Sequence, residues 1–320
     1  AVYYHKEHFW NVERMIESSK DSLDYFIKAF GPYQHKQLRI IEFPGYRSFA
    51  QSFANTVPYS ENIGFITDLR DNKEIDPVYY VTAHEVAHQW FGHQLNAANV
   101  QGSAVLSESL SQYAALMVVE EKYGEEKIRK FLTFELDSYL RGRANEYLEE
   151  MPLLRAENQP YIHYRKGSVV MMALRERIGE QNMNYALKEL ITKYRFSDSL
   201  QPTTLDLVAA LKSVALKEDL PFIDDQFNQI SIYDLKIIDT EIIKKQNNEY
   251  SLTLTVSARQ FEADGKGKET EQPFDELVDI ILFSEDPNDF STQNEILYRK
   301  KHHLISGENS ITIITNSPSF

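Results

Sequence analysis

His84-Glu85-Val86-Ala87-His88 sets two imidazoles four residues apart with a carboxylate between them. On a helix, residues four apart share one face, one turn from each other. That is the spacing with which two histidines grip one tetrahedral zinc ion, and Glu85 then lies beside the open position, where it can take a proton from water. Ala83, Val86, Ala87, Trp90, Phe91 and Leu95 recur at the spacing of a buried helix, which the pattern predicts to end near Leu95. A buried helix must satisfy two histidines and a glutamate, and a metal does so at once.

Two histidines leave zinc short of one protein ligand. The metzincin solution needs Gly and His at fixed offsets, which here hold Phe91 and Gln94. His93 falls about 140° round a helix from His88 and faces away. A carboxylate on the next helix is the other solution, and Glu108 offers one within Leu106-Ser107-Glu108-Ser109-Leu110-Ser111-Gln112-Tyr113. Ser107 and Ser109 lack the Gly-flanked elbow of a serine nucleophile.

The elements that must position these groups follow from periodicity and punctuation. A first helix is expected from Asn11, as N-cap, to Phe30, with Met15, Phe26 and Phe30 on its apolar face and Gly31-Pro32 ending it. LRIIEF (38–43) and IGFIT (63–67) read as strands. After the zinc helix, a loop leads to a second helix from Ala104 to Tyr123, stopped by Gly124, and further helices are expected over 125–141, 163–178, 181–195 and 203–217. Beyond Leu220-Pro221 the pattern changes to period two, as in Tyr250, Leu252, Leu254 and Val256, and strands are expected at 279–283, 295–299 and 310–315. The expected fold is α+β and multidomain: a mostly helical domain over 1–222 and a small β-sandwich over 223–320, short of strands at its end.

Composition excludes several functions. With 34 basic and 48 acidic residues the net charge is -14, which argues against nucleic acid and anionic membrane surfaces. The absence of cysteine rules out thiolate zinc sites and cysteine nucleophiles. No apolar run approaches the about 18 residues of a membrane span. Both ends begin and stop abruptly, as expected of a piece cut from a longer chain.

HEVAHQWFGH resembles the HExxHxWFGN run of the aminopeptidase N type of zinc peptidases, the gluzincins. In that family a Glu follows within Leu-Asn-Glu-Gly, and Leu106-Ser107-Glu108-Ser109 takes its place, one residue later than the family spacing, with the excess expected in the Asn96–Gln101 loop. Tyr164-Arg165-Lys166-Gly167 is similar to the family's Tyr-x-Lys-Gly, and Pro58-Tyr59-Ser60-Glu61-Asn62 to the end of its Gly-x-Met-Glu-Asn strand. The whole stretch most resembles the peptidase-like domain fused to bacterial ABC-type permeases, on such wording as NVQGSAVLSESLSQYAALMVVE and NQPYIHYRKG.

The resemblance implies a thermolysin-like catalytic domain and a zinc-dependent aminopeptidase with one zinc per chain, held by His84, His88 and Glu108. It implies that Glu85 is the general base, that Tyr164 holds the developing oxyanion, and that Glu61 receives the α-amine of a peptide substrate. The backbone of Tyr59 and Ser60 would pair with that peptide as an added strand. Pro58 departs from the family pattern, which has Gly there. The fusion implies flanking, membrane-spanning domains and a place on the periplasmic face of the bacterial inner membrane; without it the expected compartment is the cytoplasm. Two alternatives stay open: an endopeptidase on the same site, if Glu61 binds no amine, and a zinc-containing peptide-binding or sensory module of a transporter with little turnover.

Overall fold

Helix α1 (Val12–Phe30) buries Met15, Phe26 and Phe30 and ends at Gly31, whose φ of 115° is open to glycine. The computed structural model describes residues 1–70, 75–245, 249–286 and 295–316, and divides into two units, Ala1–Asn228 and Gln229–Phe320.

Three parallel strands, in order β1 (Val2–Tyr3), β2 (Arg39–Phe43) and β3 (Thr56–Ser60), form the sheet of the first unit. IGFIT is not a strand; the strand lies just before it, in TVPYS. Residues 61–66 turn instead, because Gly64 packs where a Cβ would overlap the Tyr59 ring and Met15. Asn11 stands at the N-cap position of α1, but its side chain makes no cap. Its amide donates to the carbonyls of Gly64 (2.7 Å) and Thr67 (2.9 Å), which holds that turn.

Helix α2 (Pro77–Ala87) starts with the Asp76 carboxylate accepting from the Tyr79 N–H at 2.9 Å and with Pro77 in the first turn. The helix stops at Ala87, not near Leu95. His88 still donates its N–H to His84 (3.2 Å), and the chain then reverses at Gly92, φ 125°. Trp90, Phe91 and Leu95 are buried all the same, so the apolar spacing runs on past the helix into a packed turn.

Helix α3 (Leu110–Tyr123) follows a π-helical turn over Val105–Ser109. Val78 to Val86 of α2, Val81 excepted, and Leu110 to Val119 of α3 are buried, so neither helix has a solvent face; these are the central helices of the unit. Around them pack α1, α4 (Glu125–Ala144), α5 (Gly167–Ile178), α6 (Glu180–Tyr194), α7 (Thr204–Val214) and α8 (Leu220–Asn228). Ser18 of α1 donates its hydroxyl to the Tyr79 carbonyl at 2.7 Å, a small residue at a close helix crossing. Leu220-Pro221 opens α8, and Ile223 and Phe227 bury α8 in this core, so the units divide after Asn228 and not near 222.

In the second unit, β4 (Ile230–Lys244) pairs antiparallel with β5 (Tyr250–Ala263), whose other edge pairs with β6 (Glu269–Gln272) and β9 (Gly307–Thr315). A separate ribbon joins β7 (Asp275–Phe283) to β8 (Ile296–Ile305). Leu252, Leu254, Val256 and Ala258 point one way with period two and bury against Ile311, Ile313, Leu282 and Leu304 from both sheets.

Candidate metal centre

The last turn of α2 brings the His84 and His88 rings to 4.6 Å, edge to face, with their Nε2 atoms 3.0 Å apart. The π-helical turn delivers Glu108 to the same point: its Oε2 lies 3.4 Å from His84 Nε2 and 3.2 Å from His88 Nε2. A π-turn holds one residue more than an α-turn, so this turn can absorb the excess residue that the sequence suggested for the Asn96–Gln101 loop.

The donor set suits a divalent metal of zinc type. The Phe91 carbonyl, 2.9 Å from His88 Nδ1, can only accept, so Nδ1 carries the proton and the Nε2 lone pair faces Glu108. Ser111 Oγ lies 3.0 Å from the same Nδ1. Glu108 Oε2 is buried with no hydrogen-bonding partner. The Nε2 atoms of two imidazoles and one carboxylate oxygen thus converge on one point, a two-nitrogen, one-oxygen set. Burial pushes the imidazolium form of His84 down, and His88 adds to that. Against the penalty of burial, His84 and His88 hold the Glu108 carboxyl far below its usual range.

Glu85 lies beside this cluster, near enough for the charges of His88 and Glu108 to act on it. It is 5% exposed, its Oε2 has no protein partner, and burial pushes its carboxyl up to about 7. A carboxylate poised near neutrality suits a general base.

Tyr164 sits on a second π-helical turn, Tyr161–Lys166, with its ring 5.8 Å from that of His84. Burial and then the Glu108 carboxylate push its phenol well up, so it stays a hydrogen-bond donor. The motif glycine has a packing reason. A Cβ on Gly167 would overlap Ser109 Oγ and come within 2.7 Å of Ser109 Cβ, and Ser109 donates its hydroxyl to the His163 carbonyl. Gly167 therefore lets the turn bearing Tyr164 dock on the turn bearing Glu108.

A model of the peptidase family M1 domain matches residues 14–227. The chain belongs to peptidase family M1. Its M1 domain is similar to endoplasmic reticulum aminopeptidase 2 of Homo sapiens, at 24% identity over 213 residues, 64% of this chain and 22% of that protein. It is also similar to aminopeptidase M1-B of Oryza sativa subsp. japonica, at 28% identity over 62% of this chain and 23% of that protein. A third relative is a probable aminopeptidase 1 of Sulfurisphaera tokodaii, at 26% identity over 58% of this chain and 24% of that protein. The chain thus spans less than a quarter of the length of these curated relatives. A solved M1 zinc metallopeptidase from Deinococcus radiodurans, bound to a Tyr-Ser-Ala substrate, aligns with a TM-score of 0.48 at 23% identity, over 68% of this chain and 44% of that one.

In the M1 domain the residues expected to bind substrate have other partners. Glu61 accepts from the Gly45 N–H at 2.8 Å, and its other oxygen lies 3.7 Å from His8 Nδ1, which is also paired with Glu42. The outer edge of β3 is already taken: Ser60 N donates to the Phe49 carbonyl (3.0 Å), and Gln51 N to the Pro58 carbonyl (3.1 Å). The Tyr59 side chain is fully buried against Gly64 and Phe65, near enough to Glu85 that this carboxylate, after burial itself, raises its phenol. His93 turns away to the Ser52 carbonyl at 3.2 Å. His163, buried beside the Tyr164 ring at 4.9 Å, has an Nδ1 without a partner.

Sequence reasoning passed over Ser111, Gln112, Tyr80 and Glu135. Three of them had a signal. Tyr80 precedes His84 by four residues, Gln112 follows Glu108 by four, and Ser111 follows it by three, the positions on the same helix face as a ligand.

Proposed function

We propose that this M1 domain is the catalytic domain of a zinc-dependent aminopeptidase that removes N-terminal residues from peptides. The observation that carries the reading is the convergence of His84 Nε2, His88 Nε2 and Glu108 Oε2 beside Glu85. His84, His88 and Glu108 would hold the ion, one per chain, which when bound supplies Lewis-acid polarisation of the scissile carbonyl and of water. Glu85 takes the proton of the attacking water and passes it to the leaving amine as the carbon–nitrogen bond breaks. Tyr164 donates its phenolic hydrogen bond to the carbonyl oxygen as negative charge builds there.

Glu61 is the proposed acceptor for the substrate's α-ammonium, and the strand bearing Tyr59 and Ser60 the proposed guide for its backbone. For these two roles Glu61 must leave Gly45 and His8, and residues 49–51 must give up the β3 edge. Should Glu61 keep those partners and bind no amine, the second reading is cleavage that does not depend on a free N-terminus. The permease-like wording of the sequence supports a larger chain tethered at the periplasmic face of a bacterial inner membrane. No helix of the described residues is long and apolar enough to cross a membrane.

Two measurements test the proposal. Elemental analysis is expected to return about one zinc per chain. An aminoacyl-chromophore substrate is expected to be cleaved far faster than its N-acetylated form. A protein that neither carries nor takes up zinc overturns the proposal, and equal cleavage of both substrates replaces it with an endopeptidase.

A further inference from the structure

Glu135 of α4 touches none of the three proposed ligands, yet it is completely buried, 0% exposed. It accepts hydrogen bonds from three segments of the fold, and Ser168, which donates its hydroxyl to the Arg165 carbonyl at 2.9 Å, packs beside it. Tyr80 Oη of α2 donates at 3.1 Å, Gln112 Nε2 of α3 at 3.0 Å and Arg165 Nη1 at 2.8 Å, all to Oε1, while Ser168 Oγ of α5 lies 3.4 Å from Oε2. The positions of these donors are what matter. Tyr80 stands one helical turn before His84, Gln112 one turn after Glu108, and Arg165 next to Tyr164. Each segment that carries part of the centre is pinned, within one turn of its functional residue, to the same carboxylate.

We propose that Glu135 is a positioning residue that sets α2, the Glu108 turn and the Tyr164 turn relative to one another; the inference rests on the proposed reading of the centre. An ionised carboxylate is acceptor-only, and Tyr80, Gln112 and Arg165 all donate to it. A buried carboxylate that loses donors has no water to replace them, so the donors are held tightly in place. Arg165 balances its charge and is itself stacked 5.0 Å from the Phe134 ring. Gln112, one turn after Glu108, commits its amide nitrogen to Glu135, so the carboxylate holds the helix that follows the Glu108 turn. A group that fixes where a ligand's own segment lies tunes how well that ligand holds metal.

The test uses Glu135→Gln in the full chain, with zinc affinity measured by chelator competition and kcat and KM measured on an aminoacyl-chromophore substrate. Zinc affinity is expected to fall about 10–100-fold, and kcat by a similar factor with KM nearly unchanged. In a Tyr164→Phe background the same substitution is expected to cost kcat much less, because part of its effect passes through Tyr164. A carboxylate that serves only the fold lowers the melting temperature and leaves zinc affinity and kcat of the folded protein unchanged. That result overturns the proposal. Should Glu135→Gln fail to fold, Gln112→Leu carries the test: it removes one of the three donors and leaves Arg165 to balance the carboxylate, and unaltered zinc affinity in that variant is equally fatal. A wild-type chain that binds zinc but hydrolyses nothing defeats the proposed function alone, and the affinity comparison still decides the role of Glu135.

Discussion

Lys166 is the one member of the Tyr164-Arg165-Lys166-Gly167 motif whose charge works against the fold. It is 5% exposed, its Nζ has no protein hydrogen-bond partner, and its nearest aromatic face is Tyr139 at 5.4 Å. Burial brings its pKa from the ordinary 10.5 down to about 8, with Glu150 partly opposing. A folded pKa below the unfolded one means that between those two values the unfolded chain binds the extra proton. The cost of burying this lysine is therefore complete below pH 8 and fades as the pH rises toward 10.5. At pH 7 the difference amounts to about 3 kcal/mol, and at pH 10.5 to less than about 0.5 kcal/mol. Lys166→Met keeps most of the side-chain volume and removes the charge. The variant is expected to melt about 6–12 °C higher at pH 7, from about 2–4 °C per kcal/mol for a unit of this size. The two proteins should converge as the buffer is taken from pH 7 to pH 10.5. Calorimetry of both across that range makes the comparison, and groups that titrate alike in both cancel. Parallel stability curves, or a variant less stable at pH 7, would refute the reasoning and mean that the ammonium is solvated or paired in the folded protein.

The other predictions concern the centre itself. Glu85→Gln should keep zinc and the fold while lowering hydrolysis by about 10²–10⁴-fold, and loss of zinc would make Glu85 a ligand. Tyr164→Phe removes one oxygen from a ring that stays packed against His84. Its kcat should drop by about 10²–10³-fold with zinc content and melting temperature nearly unchanged, and undiminished kcat would reduce Tyr164 to a packing residue. Gly167→Ala forces a methyl onto Ser109 and should cost about 1–3 kcal/mol in chemical denaturation; a change within error would mean that the two π-turns can separate freely.

Much of this domain was legible without coordinates, because the features that specify it are local. Gly31 ends α1 for want of a Cβ, and four-residue spacing puts His84 and His88 on one helical face. Period two in β5 sends Leu252, Leu254 and Val256 to one side. Glu108 was legible at one remove, as the carboxylate that the following helix offers to a zinc ion two histidines cannot complete. Where local pattern misled, a distant residue had intervened. Asn11 holds the turn at 64–67 that the sequence pattern reads as a strand, and packing of Trp90 and Phe91 against α1 aromatics carries apolar spacing beyond the end of α2.

The sequence by itself determined which residues can bind metal, move a proton and end an element, since those properties belong to side-chain chemistry and to spacing along the chain. Only the tertiary structure decided which donors meet which acceptors. The π-turns at Val105–Ser109 and Tyr161–Lys166, the strand edge covered by residues 49–53, the stranded ammonium of Lys166 and the three donors gathered on Glu135 all depend on residues far apart in the chain. No periodicity records such meetings, because they are settled by how the helices and strands pack and by the need to pair every polar group that packing removes from water.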